Sequence, residues 1–275
     1  MKYKKTDAYA AVVIACLIAV AWGLFRWGAP REAALDKTAL TGSEAAAGLS
    51  EPPSPTPANR KVAYLTFDDG PSARTQELLE ILRSRGVCAT FFVVGRNAEV
   101  YPDALRQMTK DGDVVGVHSW THDYSYIYAS TKNFLSDFLR LRDFIEETTG
   151  VAPTVYRFPG GTNNTVSLSY NENHIMKSLV PLVENMGFRY YDWNVSAGET
   201  WSNPPSKEKV VESVVSQCRE KKTAVILFHD TGNQGYVDAV PEIISRLSAL
   251  GFTFDTLSSD SPSASRAAMF QFAPS

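Results

Sequence analysis

From residue 62 onward, short apolar runs alternate with amphipathic stretches, and this alternation limits the fold more than any other feature of the chain. The strand candidates are 62–67, 87–94, 113–117, 153–157, 188–195, 223–228 and 252–256. Amphipathic segments lie between most of them, at 74–85, 98–111, 132–149, 173–186, 206–221 and 237–250. Gly86, Gly112, Gly150, Gly187 and Gly251 stand just past helical segments, as C-terminal caps do. Repeated strand–helix units give a parallel sheet with right-handed crossovers. Seven strands fit a closed barrel and an open doubly wound sheet equally well. In both, the chemistry belongs at the C-terminal ends of the strands.

The first sixty residues do not follow this pattern. Lys2, Lys4 and Lys5 precede an uncharged run, 8–25, that Arg26 closes. The run is near the short limit for crossing a bilayer and longer than the apolar core of a signal peptide. Trp22 and Trp27 sit where an interfacial aromatic belt would fall, and the basic flank argues for a cytoplasmic N-terminus. Ala33-Ala34 and Ala45-Ala46-Ala47 offer small residues for cleavage, but far beyond the run. We therefore read 1–27 as a cytoplasmic tip and a transmembrane signal anchor. Residues 28–60, with Pro52-Pro53-Ser54-Pro55-Thr56-Pro57, cannot bury a core and read as an extended linker. The domain then occupies 61–258, followed by a tail at 259–275. This places the protein in the cell membrane, single-pass, with its domain outside the cytoplasm.

A chain of 275 residues accommodates one sizeable core plus these appendages. A net charge of −3 with no basic cluster gives no electrostatic case for nucleic acid, and no protein partner is indicated. Cys16 falls in the apolar run. Cys88 and Cys218 have no zinc-ligand spacing, and buried free thiols are a simpler reading than a disulfide.

Four stretches hold residues suited to catalysis. Thr66-Phe67-Asp68-Asp69-Gly70-Pro71 sets two carboxylates at the end of the first strand, where Gly-Pro stops it. Alone, this is as well explained by a turn whose Asp caps the next helix. His118-Ser119-Trp120-Thr121-His122 spaces two imidazoles i, i+4, which would put both on one face of a helical turn and supply two ligands to a borderline metal. Arg157-Phe158-Pro159-Gly160-Gly161 and Leu227-Phe228-His229-Asp230 follow two further strands. Three of the four histidines in the chain fall in these stretches.

Taken in this order, the four stretches resemble the polysaccharide deacetylase family, the NodB-like carbohydrate esterases. The resemblance covers about residues 60–255. It implies a distorted (β/α) barrel, usually of seven strands, with its site at the C-terminal rim. It implies that Asp69, His118 and His122 hold one divalent metal, zinc in the first instance, with cobalt, nickel or manganese compatible with the same ligands. It makes Asp68 the general base, Arg157 the residue that orients it, and His229 the general acid that protonates the departing amine. Leu227 would line the pocket for the acetyl methyl group.

The sequence departs from the family pattern at two places. Gly160 stands where an aromatic residue commonly follows the proline, which leaves its backbone N–H as an oxyanion donor but removes a ring from the substrate pocket. The family's Asp-Trp pair is approximated twice, by Asp192-Trp193 and by Glu199-Thr200-Trp201, and we take Glu199 with Trp201 as the nearer match, Trp193 being an additional pocket or core residue. His174 reads as an exposed helix residue. Tyr124, Tyr126 and Tyr128 form either a sugar-facing surface or a packed loop. The expected function is removal of N-acetyl groups from a GlcNAc-containing polymer such as peptidoglycan, chitin oligomers or another exopolysaccharide. O-acetyl xylan is a further candidate. A non-catalytic glycan-binding domain would not need both an acid and a base.

Overall fold

The computed structural model describes residues 60–171, 174–198 and 205–261. The alternation resolves into β1 (Lys61–Asp68), α1 (Thr75–Ser84), β2 (Thr90–Val94), α2 (Gly95–Val100), α3 (Pro102–Asp111) and β3 (Val114–Ser119). Next come α4 (Tyr124–Ile127), α5 (Thr131–Thr149), β4 (Val155–Tyr156), α6 (Met176–Asn185), β5 (Arg189–Tyr190) and β6 (Val195–Ser196). The chain continues with α7 (Lys207–Cys218), β7 (Thr223–His229), α8 (Gln234–Ala249) and β8 (Phe252–Phe254). All strand pairs are parallel, as the strand–helix alternation requires. Seven strands run in the order β5-β4-β3-β2-β1-β7-β6 and curl into a half-barrel. The short β8 adds to β1 at its lower end, pairing with Lys61–Ala63, while β2 takes Thr66–Asp68.

The period of two along each strand sorts side chains between two cores. Ala63, Leu65 and Phe67 of β1 face the helices, and the Phe67 ring stacks on Phe91 at 5.2 Å and Phe228 at 5.1 Å. Tyr64 faces the interior of the curl, where it packs with Phe92, Val155, Tyr191, Val225 and Leu257. The same alternation sends Asp68, His118, Arg157, Leu227 and His229 inward at the strand ends. Fold and site thus follow from one repeat.

Two expected elements are divided. The strand candidate 188–195 becomes β5, paired with β4, and β6, paired with β7. One straight strand cannot pair with partners at opposite margins of a curled sheet, so the chain crosses between them at 191–194. Asn194 anchors the crossing: its side chain donates to Thr223 O at 3.0 Å and accepts from Val225 N at 2.9 Å. The helix candidate 98–111 breaks at Tyr101 (φ −124°, ψ 56°), because Pro102 disfavours helical backbone in the residue before it. Gly112 (φ 87°) and Gly150 (φ 75°) do cap α3 and α5 in left-handed backbone.

Packing continues past residue 258. The Tyr191 hydroxyl lies 2.7 Å from Ser258 O and 2.9 Å from Ser261 O, two acceptors that share its one proton. The apolar run 8–25 and the linker up to residue 59 lie outside the described residues. Among the described residues no helix is long and apolar enough to cross a membrane.

Candidate active site

The inward positions converge on a pocket of about 230 Å3. Its lining includes Asp68, Asp69, His118, His122, Leu227 and His229. Asp69 follows the end of β1 with φ 71°, which turns its carboxylate back over the strand ends. Asp69 Oδ1 stands 3.4 Å from His118 Nε2 and 3.3 Å from His122 Nε2. Among the described residues, these three form the one group of donors close enough to share a metal ion, all within 4.8 Å of one another. Both Asp69 oxygens are buried without a well-formed hydrogen bond, which is costly unless a cation takes them. The residues therefore fit a divalent metal. His118 Nδ1 donates to Arg157 O at 2.6 Å, since a carbonyl can only accept, and this leaves the Nε2 lone pair facing Asp69.

Charge and burial act against each other here. Burial would raise the Asp69 pKa, but His118, His122 and His229 outweigh it and hold the carboxyl at about 2. Burial would lower His118, but Asp69 and Asp68 outweigh it and the imidazole is raised. His122 and His229 are lowered by burial.

The two histidines do not share a helical turn, contrary to the reading of their spacing. His118 belongs to β3, whereas His122 sits in the following loop with φ 53°. That loop is held by Asp137, a buried residue of α5. Its Oδ1 accepts from Ser119 Oγ and Trp120 N, each at 2.7 Å, and its Oδ2 from Thr121 N at 2.9 Å and Thr121 Oγ1 at 2.7 Å. Ser119 Oγ in turn accepts from His122 N at 2.9 Å. The sequence reading missed Asp137, although a signal was present. Phe134, Asp137, Phe138, Leu141 and Ile145 form the buried stripe of α5, and a carboxylate on an apolar stripe requires a set of donors.

Arg157 is fully buried inside the curl. Its Nη1 donates to Asp68 Oδ1 at 2.8 Å and to Thr66 Oγ1 at 2.7 Å. Its Nε and Nη2 donate to Tyr191 O at 2.9 Å and Asp192 O at 3.1 Å, and its guanidinium lies 4.3 Å over the Phe92 ring. Four hydrogen bonds and a ring face satisfy a charge that water cannot reach. Asp68 is thereby fixed through one oxygen, and Oδ2 has no hydrogen bond among the described residues.

His229, on the strand beside that of Asp68, is half-buried, with Nε2 3.9 Å from Asp69 Oδ2. Asp68 and His229 are register partners on β1 and β7. Gly160, at φ 77°, lines the pocket, and its N–H has no acceptor among the described residues. A Cβ there would meet Tyr124 Oη at 3.1 Å. Trp193 also lines the pocket, 5.7 Å from the Arg157 guanidinium. The Asp192 carboxylate is taken by the backbone N–H of Thr162 at 2.9 Å and by the Thr162 hydroxyl. Glu199 and Trp201 lie outside the described residues.

The three tyrosines separate. Tyr124 lines the pocket, Tyr126 is exposed, and Tyr128 is buried with its hydroxyl donating to Pro159 O at 2.7 Å. His174 is exposed, in a turn before α6 and not on a helix. Cys88 and Cys218 are both free thiols, the first half-buried and the second buried.

A family profile described as polysaccharide deacetylase matches residues 56–178. A peptidoglycan-N-acetylglucosamine deacetylase of Bacillus cereus is 31% identical over 206 residues, which are 74% of this chain and 71% of that protein. The chain belongs to the polysaccharide deacetylase family. This deacetylase is also 36% identical to peptidoglycan-N-acetylmuramic acid deacetylase PdaC of Bacillus subtilis, over 73% of its own length and 38% of PdaC. Its fold superposes on the solved catalytic domain of a peptidoglycan N-acetylglucosamine deacetylase from Eubacterium rectale with a TM-score of 0.71. That match is 40% identical and spans 74% of this chain and 91% of the other.

Proposed function

We propose that this deacetylase removes N-acetyl groups from a β-linked, GlcNAc-containing polysaccharide, and that the polymer is peptidoglycan. One observation carries the reading. A carboxylate held by a buried arginine, a half-buried imidazole and an Asp-His-His donor set meet in one pocket, and hydrolysis of an amide needs all three. The names of the relatives above favour peptidoglycan among N-acetylated polymers.

The divalent ion that Asp69, His118 and His122 would hold, for which we propose zinc, supplies Lewis acidity to the carbonyl and to water. Asp68, fixed by Arg157, takes a proton from the attacking water through Oδ2. The Gly160 N–H donates to the oxygen that gains charge as the carbonyl carbon becomes tetrahedral. His229 gives a proton to the nitrogen as the C–N bond breaks, so that the products are acetate and a neutral amine. Leu227 packs against the acetyl methyl group, and Trp193 closes the pocket over Arg157. Glu199 and Trp201 are proposed to support His229 and the substrate.

The apolar run 8–25 with its basic flank supports a single-pass anchor, and the Pro-rich linker supports a tether that carries the domain to polymer outside the membrane. Acetate release from peptidoglycan, chitopentaose and acetyl-xylan, with and without added zinc, tests the reading. Release from either of the last two with none from peptidoglycan would sink the substrate assignment.

A further inference from the structure

Beside the catalytic pocket lies a second, larger groove of about 530 Å3, and the two share Asp69 and His122 as a common wall. Its far side is built by α2 and the residue after it, through Arg96, Asn97 and Tyr101. This side is fixed to the donor set from two directions. Asn97 Nδ2 donates to Asp69 O at 2.7 Å, and the Arg96 N–H donates to Trp120 O, in the loop that carries His122, at 3.1 Å. The backbone of Arg96 therefore has a set position relative to the donor set.

The charges of the groove are unevenly matched. Asp69 turns its carboxylate to the imidazoles of His118 and His122. Asp230, buried, accepts from Ser72 Oγ at 2.6 Å and from the Thr75 hydroxyl. The neighbouring Asp123 caps α4, accepting from Ser125 N, Ser125 Oγ and Tyr126 N. Arg96 makes no ion pair and no side-chain hydrogen bond among the described residues; its charge acts only at longer range on Asp123, whose carboxyl is lowered mainly by the Ser125 hydrogen bond. Tyr101, 39% exposed, lines the same groove.

Resting on the deacetylase reading above, we infer that this groove receives the sugar next to the one being deacetylated and that Arg96 reads a carboxylate on its substituent. A guanidinium takes a carboxylate in a two-point, charge-assisted contact that an amide or a hydroxyl cannot replace. The Tyr101 ring offers a flat apolar face to the pyranose. Arg96 is thus a specificity residue that favours acidic glycans over neutral ones.

The test uses peptide-bearing peptidoglycan strands and the same strands with their carboxylates converted to amides. For the wild-type full chain, kcat/KM on the acidic strand should exceed that on the amidated strand, through KM, and the ratio should fall as salt is added. Arg96→Gln should lower this ratio about tenfold, and Arg96→Lys should restore part of it. An unchanged ratio in folded, metal-loaded Arg96→Gln overturns the inference. If the wild type releases acetate from neither strand, the deacetylase reading is what has failed. Titration calorimetry with the acidic strand then decides the role of Arg96: weaker binding by Arg96→Gln supports it, and equal binding removes it.

Discussion

Asp137 holds Thr121 through both of its donors: Oδ2 accepts the backbone N–H at 2.9 Å and the hydroxyl at 2.7 Å. With Ser119 and Trp120 on Oδ1, one carboxylate binds the whole loop between His118 and His122. An asparagine would turn an NH2 group towards two of these donors. Asp137→Asn should therefore lower zinc affinity about 10- to 100-fold, the range for residues that orient ligands. A competition titration on folded protein checks this, and wild-type affinity would remove Asp137 from the centre.

The donor set and the base should separate on substitution. His118→Ala and His122→Ala should each lose stoichiometric metal by elemental analysis, since two ligands hold a divalent ion poorly. Asp68→Asn should keep the metal and lose on the order of 10² or more in rate. A metal-free Asp68→Asn together with a metal-loaded Asp69→Asn would reverse the two assignments.

His229 should matter in proportion to the leaving group's need for a proton. An amide nitrogen cannot leave as an anion, whereas an activated aryl acetate expels a stable phenolate. His229→Ala should lose roughly 10²–10⁴ in kcat on an N-acetylated sugar. On the aryl ester the loss should be about tenfold or less, a difference of at least about 1.4 kcal/mol in transition-state stabilisation. Equal losses on both substrates, with a lower Tm, would mark His229 as a structural residue only.

Asp113 gives a pH dependence unrelated to catalysis. Burial raises its pKa from 3.8 to about 6; the Ala89 N–H, donating at 2.7 Å, works against this, and Asp111 adds to it. The folded state thus binds the proton more tightly than the unfolded chain. Its contribution is fully present below the unfolded pKa and is lost as pH rises through about 6. Asp113→Asn keeps the acceptor for Ala89 and never ionises. It should be more stable than wild type by on the order of 1–3 kcal/mol at pH 8, with most of that advantage gone at pH 4. Denaturant midpoints at the two pH values check this, and a gain of equal size at both would contradict it.

Much of the site was legible because its residues end strands. In a parallel sheet every C-terminal end lies at the same edge, so the places of Asp68, His118, Arg157 and His229 after apolar runs put them on one rim, and the family resemblance supplied their roles. His122 was legible as a residue but not in its conformation. Its left-handed backbone depends on Asp137, fifteen positions further along, and a contact between a loop and a helix leaves no period in either. The split of 188–195 was hidden for a related reason. Apolar character records that a segment is buried, and says nothing of which partner it pairs with. Arg96 was passed over because an arginine near the start of a helix is ordinary until the groove beside it is seen.

The shared rung of Asp68 and His229 bears on how such an enzyme can diversify. The backbone separation of the proposed base and acid is set by the spacing of adjacent strands, about 4.8 Å and among the stiffest dimensions in a protein. The backbone N–H of Asp230 donates to Asp68 O at 2.8 Å and carries the ladder one residue further. No loop enters into that distance. The rims proposed to meet the polymer, α2 with Arg96 and Tyr101 on one side and Gly160 with Tyr124 on the other, could be exchanged without moving the backbone of the proposed acid relative to that of the proposed base. Grafting these rims between deacetylases should transfer substrate preference while the pH profile of kcat stays with the parent sheet.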